Sequence, residues 1–374
     1  MKKHFVIVGG GHAHLTLLAH LDQCVGRGHR VTVVSPSPYH YYSGMGPGLL
    51  AGTYGPRDVR FHVRRMAEDR GAAFIEDAVV RIDARNRSLL LASGAALAYD
   101  VVSFNTGSEV PALIPGASGP AVFPVKPIAN LIGAQHFLVE LLSRRAAEIV
   151  IIGGGPAGLE MAGNAWRLAA GQGRRARVTL LAGRRLMVRL PDRVRTLALR
   201  SLQRRGIEVV EGIHAAALDK DRVIMDDGTT RSFDAVFLAL GVEPSPLFRD
   251  SGLPTGTDGG LLVNRFLQCP AHPEIFGGGD GISLEGRQLA KVGVYAVRQN
   301  PILMGNTCAA LDGGPLVPFV PQKDYLLIFN LGDGTAILNR DGVTLAGRFA
   351  WWLKDRIDRG FMKKFQLSGE LDEE

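Results

Sequence analysis

Two glycine clusters carry the first chemical signal in this chain. His4–His14 reads HFVIVGGGHAH: an apolar run from Phe5 to Val8 breaks at Gly9, Gly10 and Gly11, and His12 opens a helical pattern continued by Leu15, Leu17, Leu18 and Leu21. Glu148–Glu160 repeats the order as EIVIIGGGPAGLE, with Gly153, Gly155 and Gly158 in full G-x-G-x-x-G spacing. Strand, glycine turn and helix together build a cradle for a dinucleotide pyrophosphate. Glycine is needed where phosphate approaches the backbone, because a Cβ would stand in the way. The helix N-terminus adds free N–H groups and a positive dipole end. The first copy departs from the pattern, since His14 stands where the third glycine belongs. Alone it reads equally as a glycine turn between any buried strand and helix; two copies in one chain argue for two dinucleotides side by side.

Two later segments extend the series. Phe233–Pro244, FDAVFLALGVEP, gives an acidic residue, a buried strand and a glycine turn, and Glu274–Ile282, EIFGGGDGI, is a short strand ending in glycines and Asp280. With four motifs in this order, the chain resembles the two-dinucleotide flavoprotein reductases of the pyridine nucleotide–disulfide oxidoreductase superfamily over nearly its whole length. The resemblance implies FAD on the first glycine turn, NADH or NADPH on the second, and Gly279-Asp280 against the FAD ribityl or pyrophosphate. Three further stretches, SPSPYHYYSGMGPGLLAG from Ser35, AKVGVYAVRQ from Ala290 and GRFAWWLKDRIDRGFMKKF from Gly347, are similar to the branch containing type II NADH dehydrogenases. They are also similar to the flavoprotein domain found alone or fused ahead of selenide,water dikinase.

The elements that must position these motifs give an α/β fold of two Rossmann-like domains. Residues 1–108 and 234–312 are expected to form an FAD domain, interrupted by an NAD(P) domain over 109–233. Residues 313–374 are expected to add a hairpin, Tyr325–Leu331 with Thr335–Asn339, and an amphipathic helix. The second strand, Arg30–Val34, runs into Ser35-Pro36-Ser37 where an acidic residue usually holds the adenosine ribose. Ribose recognition is therefore by hydroxyl or backbone, or lies elsewhere. Tyr39–Gly52 reads as a loop whose tyrosines either wall the flavin or pack beneath it. Tyr99–Ser108 reads as a buried strand closing on Thr106-Gly107 beside the flavin. In the inserted domain, Val178–Leu181 ends in Ala182-Gly183-Arg184-Arg185; two arginines and no carboxylate favour the 2′-phosphate of NADPH. The alternatives are that these arginines belong to a general basic surface, or that the second site is vestigial.

A flavin carries the hard chemistry itself, so the protein needs only to position rings and manage protons. Glu160, just past the second glycine turn, either orients the nicotinamide or relays a proton, or simply sits in a first helical turn that favours acid. Lys126, in PVKP, is assigned near the flavin by position alone. The segment from Lys291 reads as a helix whose N-terminus faces the flavin and stabilises its reduced, anionic form. The resemblance puts Ala296 and Gln299 at a quinone site, with Lys291 at the helix start. These readings lead to an NAD(P)H:quinone-type oxidoreductase with a quinone or other small electron acceptor. The alternatives are a sulfide:quinone-like enzyme, or a flavin-binding accessory protein of selenium metabolism without NAD(P)H turnover.

The chain has 374 residues, a net charge of +7 and three cysteines, Cys24, Cys269 and Cys308. The cysteines show neither paired nor metal-ligand spacing, which fits a reducing compartment and argues against dithiol catalysis. Arginines are dense between Arg174 and Arg205 but alternate with apolar residues at helical spacing, so a solvated helix face is preferred to nucleic-acid binding. Near the C-terminus, Phe349, Leu353, Ile357 and Phe361 recur every fourth residue beside tryptophans and basic residues. Such a helix either lies on a membrane surface or packs on its own domain or a homodimer partner. MKKHFVIV reads as a strand rather than a signal peptide, and Glu370–Glu374 reads as disordered. A cytoplasmic protein, in contact with the inner face of the membrane through that helix, is the expected setting.

Overall fold

In the computed structural model, residues 2–173 and 176–370 are described; Arg174, Arg175 and the last four residues of the acidic tail lie outside them. Two parallel sheets organise the chain. The first has the spatial order Gln268–Cys269, His272–Gly277, Val101–Phe104, His4–Val8, Arg30–Ser35, Ala73–Glu76, all parallel except the edge pair at Gln268. Every residue of His4–Val8 is buried, as a central strand covered on both faces requires. The second sheet, Val122–Pro124, Ala235–Leu238, Ala147–Ile152, Ala176–Leu181 and Glu208–Val210, is wholly parallel and lies between the sequence segments that make the first.

Local chemistry explains how the two glycine units differ. In the second, the helix Pro156–Gly171 starts directly after Gly155, and a Cβ on Gly158 would lie 1.8 Å from the Gly153 carbonyl oxygen. In the first, a 3₁₀ turn at His12–His14 precedes the helix Leu15–Ala19, and the extra side chain is used. His14 is fully buried; its Nδ1 donates to the Gly9 carbonyl at 2.6 Å and its Nε2 accepts from Ser103 Oγ at 2.8 Å. The carbonyl contact requires a proton on Nδ1, so the neutral tautomer closes both bonds. The histidine thus ties the turn to the neighbouring strand where glycine would only have left room.

The remaining segments depart from expectation in three places, and the C-terminal helix takes up one of the alternatives left open for it. Tyr39–Gly52 is not a loop: Tyr39–Tyr41 pairs antiparallel with Arg60–His62, and Gly46–Leu50 is helical. The C-terminal hairpin gains a third strand, Leu327–Asn330, Ala336–Arg340 and Val343–Gly347. Glu370 is buried and accepts from the backbone N–H of His62 and Ser368, so the acidic tail is ordered up to that residue. The helix Arg348–Phe365 docks its second half on the first sheet's core through Met362 and Phe365, with Phe361 half-buried beside them. Its first ten residues and the strand before it leave apolar side chains open: Val343, Leu345, Phe349, Trp352 and Ile357. No helix among the described residues is long and apolar enough to cross a membrane. Arginines of the basic region serve internal contacts, with Arg195 on Glu211 and Arg205 on the Leu331 carbonyl and over Trp166.

Burial pushes the His14 ring down to about 4 from the usual 6.5. Between those values the unfolded chain binds more protons, so stability present above about pH 6.5 is lost as pH falls towards 4, on the order of 3 kcal/mol. Urea unfolding of wild type and His14→Ala at about pH 7.5 and about pH 4.5 is expected to give a less stable variant at neutral pH, with a smaller loss on acidification. Equal acid dependence in the two proteins would remove this role.

Candidate functional site

The loops at the carboxyl ends of both sheets' central strands open on one cavity of about 1060 Å³. His4–Val8 lies between strands that continue the chain in opposite directions across the sheet, and such a switch point is where open α/β sheets leave a crevice. Gly9, Gly10, Gly11 and His12 line it after the first strand, Ser35 after the second, Thr106 and Gly107 after Val101–Phe104, and Gly279 and Asp280 after His272–Gly277. From the second sheet come Lys126 and, beyond Ala147–Ile152, Pro156, Ala157 and Glu160. Gly153, Gly155, Gly158, Arg184 and Arg185 lie outside this lining, around the second turn itself.

Backbone crowding fixes the first turn. Gly9 has φ +86°, and a Cβ there would lie 2.3 Å from the Asn105 carbonyl oxygen. At the second turn a Cβ on Gly155 would meet nothing within 4 Å, so that position is open on its ligand side. Three buried polar atoms around the first turn, His12 Nε2, Asn105 Nδ2 and Thr106 Oγ1, have no hydrogen-bond partner in the protein. Buried polar groups are normally satisfied, and a dinucleotide's phosphate and hydroxyl oxygens are suited to satisfy them. The residues present therefore fit FAD, which Gly9–His12, Asn105, Thr106 and the Gly279-Asp280 turn would hold.

The charged residues are knitted together. Lys126 Nζ donates to Asp280 Oδ2 at 2.8 Å and to Ser108 Oγ at 2.9 Å, while Ser108 Oγ donates to Asp280 at 2.8 Å. Lys291 Nζ lines the cavity but is engaged by Asp258 Oδ2 and the Ile282 carbonyl, both at 2.7 Å, which holds the segment leading into the helix Gly293–Asp312. Gln299 corrects an expectation: it is buried outside the cavity, and its Oε1 accepts the Gly279 N–H at 2.7 Å. It shares a helix face with the cavity-lining Ala296 three residues before it, but its side chain is taken up by the Gly279 backbone and braces the turn before Asp280 rather than facing an acceptor. Beyond the end of the strand Arg30–Ser35, Asp77 also lines the cavity, and its oxygens accept from the N–H groups of Ala78 and Ser93.

A second polar group comes from the C-terminal helix. Lys354 Nζ reaches the Asp358 carboxylate at 2.6 Å and the Gly44 carbonyl at 2.7 Å, and Tyr42 Oη donates to Asp358 at 3.1 Å. Burial pushes the Asp358 carboxyl up against the opposing pull of Lys354, and burial raises the Tyr42 phenol as well. Across the cavity, burial raises Glu160 to about 7, although Lys354 and the Asn330 N–H, which donates to Oε1 at 2.7 Å, favour its charged form. His12 Nδ1 and His40 Nε2 lie 3.1 Å apart, and burial holds both rings neutral at pH 7. In the sequence Lys354 is one of several basic residues flanking the apolar stripe of this helix, and neither Asp358 nor Tyr42 stands out. The signal available was the i,i+4 Lys–Asp spacing inside an amphipathic helix.

Comparison with known proteins agrees with this geometry. The chain is 23% identical over 318 residues to the internal alternative NAD(P)H-ubiquinone oxidoreductase A1, mitochondrial, of Arabidopsis thaliana, covering 75% of this chain and 61% of that protein. It is 27% identical over 303 residues to the demethylphylloquinone reductase NdbB of Synechocystis, covering 76% and 72%. Among solved structures, NDH2 of Plasmodium falciparum in complex with NADH superposes with a TM-score of 0.81 at 12% identity, covering 99% of this chain and 98% of that one. The sulfide:quinone oxidoreductase of Aquifex aeolicus gives 0.77 at 18%, covering 97% and 91%. Those two likenesses speak for the fold. Residues 3–299 match the family model for pyridine nucleotide-disulphide oxidoreductases, and the chain therefore belongs to that family, whose members work with FAD and NADH or NADPH.

Proposed function

We propose that this protein is an NAD(P)H:quinone-type oxidoreductase. The observation that carries the reading is the hydrogen-bonded set Tyr42–Asp358–Lys354, in the same cavity as the first glycine turn and Glu160. Bound FAD would supply the two-electron carrier that side chains lack, taking electrons from a reduced nicotinamide and giving them to the acceptor. A quinone reduced by two electrons also needs two protons, and the chain's own residues hold them. Glu160 accepts the Asn330 N–H on Oε1, so below about pH 7 its proton sits on Oε2. Lys354 holds protons on Nζ, and Asp358 and the Gly44 carbonyl orient them. Lys126, fixed by Asp280 and Ser108, keeps a positive charge beside the first turn, where negative charge on a dinucleotide is favoured. Gln299 and Lys291 act as positioning residues.

The quinone-reducing activities in the names of the two sequence relatives support the acceptor class. The sulfide:quinone-like alternative is disfavoured because none of the three cysteines lines the cavity. Two features favour the accessory reading, His14 in place of glycine and the missing ribose carboxylate after Arg30–Val34; the first has a structural account in the bonds of His14 to Gly9 and Ser103. For the nicotinamide nucleotide we favour NADPH, held through Arg184, which is exposed beyond the strand Ala176–Leu181; Arg185 is paired with Asp192 at 2.6 Å. The open apolar side chains at Phe349, Trp352 and Ile357 we read as the surface that meets a membrane, the source of an apolar acceptor.

Purified protein is expected to be yellow, to bleach anaerobically with NADPH far faster than free flavin does, and to regain its colour with a short-chain quinone; bleaching no faster than free FAD would end the enzyme reading. The rate at which a short-chain quinone restores the colour is expected to fall as pH rises through an inflection near pH 7, and Glu160→Gln to remove that inflection. Arg184→Ala is expected to raise KM for NADPH roughly tenfold, about 1.4 kcal/mol, with little change for NADH, and equal effects on both would remove the 2′-phosphate assignment. In flotation with anionic liposomes, wild type is expected to rise with the lipid and Phe349→Glu/Trp352→Glu to stay behind. Equal recovery of the two would exclude this surface.

A further inference from the structure

Outside the cavity, two of the three cysteines meet although 284 residues separate them in sequence: Cys24 Sγ and Cys308 Sγ lie 3.2 Å apart. Both are buried, Cys24 at 1% exposed and Cys308 at 8%. Cys24 is on the helix Leu21–Gly26, which continues from the first glycine turn, and Cys308 is near the end of the helix Gly293–Asp312, whose beginning lines the cavity. The two segments are also joined by the Thr16 N–H on Asn300 Oδ1 at 2.7 Å and by Arg27 and His29 on Asp312 at 2.5 and 3.0 Å. The two segments are thus already tied together around the sulfurs, which start 3.2 Å apart.

We propose that Cys24 and Cys308 are a redox-active dithiol which hydrogen peroxide closes into a disulfide, tying the first-turn helix to the helix that reaches the cavity. The inference does not depend on the identity of the electron acceptor. Cys308 is the more exposed sulfur and the attacking one. One hydrogen bond joins the two sulfurs, and with Cys24 as its donor the Cys308 thiol is lowered from its ordinary range while that of Cys24 is raised; the Arg27 guanidinium adds to the effect on Cys308. Thiolate is the reactive form. The Cys308 sulfur attacks one peroxide oxygen, the O–O bond breaks, and the departing oxygen takes a proton to leave as water. Cys308 is then a sulfenic acid. The Cys24 sulfur attacks the Cys308 sulfur, the S–O bond breaks, and the second oxygen leaves as water with the Cys24 proton. Two thiols lose two electrons and two protons in all, and one peroxide becomes two waters. Cys269, buried in the first sheet's core at the Gln268–Cys269 edge, takes no part.

The test uses the full chain with its flavin, reduced, freed of reductant, treated with hydrogen peroxide, then denatured in alkylating agent and mapped by mass spectrometry. The expected result is a Cys24–Cys308 linked peptide with Cys269 alkylated, and recovery of all three alkylated cysteines after dithiothreitol. Cys24 and Cys308 alkylated as in untreated protein, or oxidised singly without a link, would overturn the proposal. In Cys24→Ser the sulfenic acid has no resolving thiol, so dimedone is expected to tag Cys308. A tag absent from that variant, or found on Cys269 instead, would overturn the assignment of Cys308 as the attacking sulfur. The wild-type map stands without any variant.

Discussion

The arrangement depends on how closely backbones meet where the central strands end. Gly9 turns away from its strand against the Asn105 carbonyl, and Gly153 turns against the carbonyl of Ala239, with no room for a Cβ at either. Each contact pins the exit of one strand to the exit of its neighbour in the same sheet. The hydrogen bonds Gly9 N–H to Val34, Asn105 N–H to Val8 and Gly278 N–H to Phe104 continue the pinning across the first sheet. The consequence is a row of loops held at one level, with free backbone donors and unsatisfied side-chain atoms facing the same space. A cofactor with a long anionic linker is the ligand such a row can grip, because affinity comes from many fixed dipoles rather than from one strong group.

The second organising element is the C-terminal helix. Its docked half belongs to the core of the first sheet, while the three-stranded sheet before it contributes Phe329, Leu331 and Ile337 to the core of the second. The approach is close on that side too: the Leu331 carbonyl lies 2.2 Å from where a Cβ on Gly163 would sit. Packing on both cores lets the helix present Lys354 and Asp358 to the cavity. An ion pair with both side chains so little exposed costs desolvation that its attraction alone does not clearly offset. The additional bonds from Tyr42 and to the Gly44 carbonyl make it tolerable.

Much of this was legible in the chain. Both strand–turn–helix units, the alternation of sheets, the Thr106-Gly107 and Gly279-Asp280 turns and the amphipathic C-terminal helix follow from apolar runs, glycine positions and helical periodicity. These are local signals, in which a residue's neighbours within one turn decide its conformation. Departures came where a side chain finds a distant partner. The resemblance puts Gln299 at an acceptor site, yet its partner is the Gly279 backbone twenty residues away; Lys354 is one basic residue among several in the sequence, and its partners are Asp358 and the Gly44 carbonyl. His14 looked like a defect in a motif and proved to be a fully satisfied buried group.

The sequence by itself determined which elements form and where two dinucleotide cradles begin, because glycine spacing and strand hydrophobicity act through the chain's own covalent neighbours. Only the tertiary structure decided which side chains share a space. The meeting of Cys24 with Cys308, of Lys126 with Asp280 and of Asp358 with Tyr42 depends on how the sheets and the last helix pack. No spacing along the chain encodes a distance across a core.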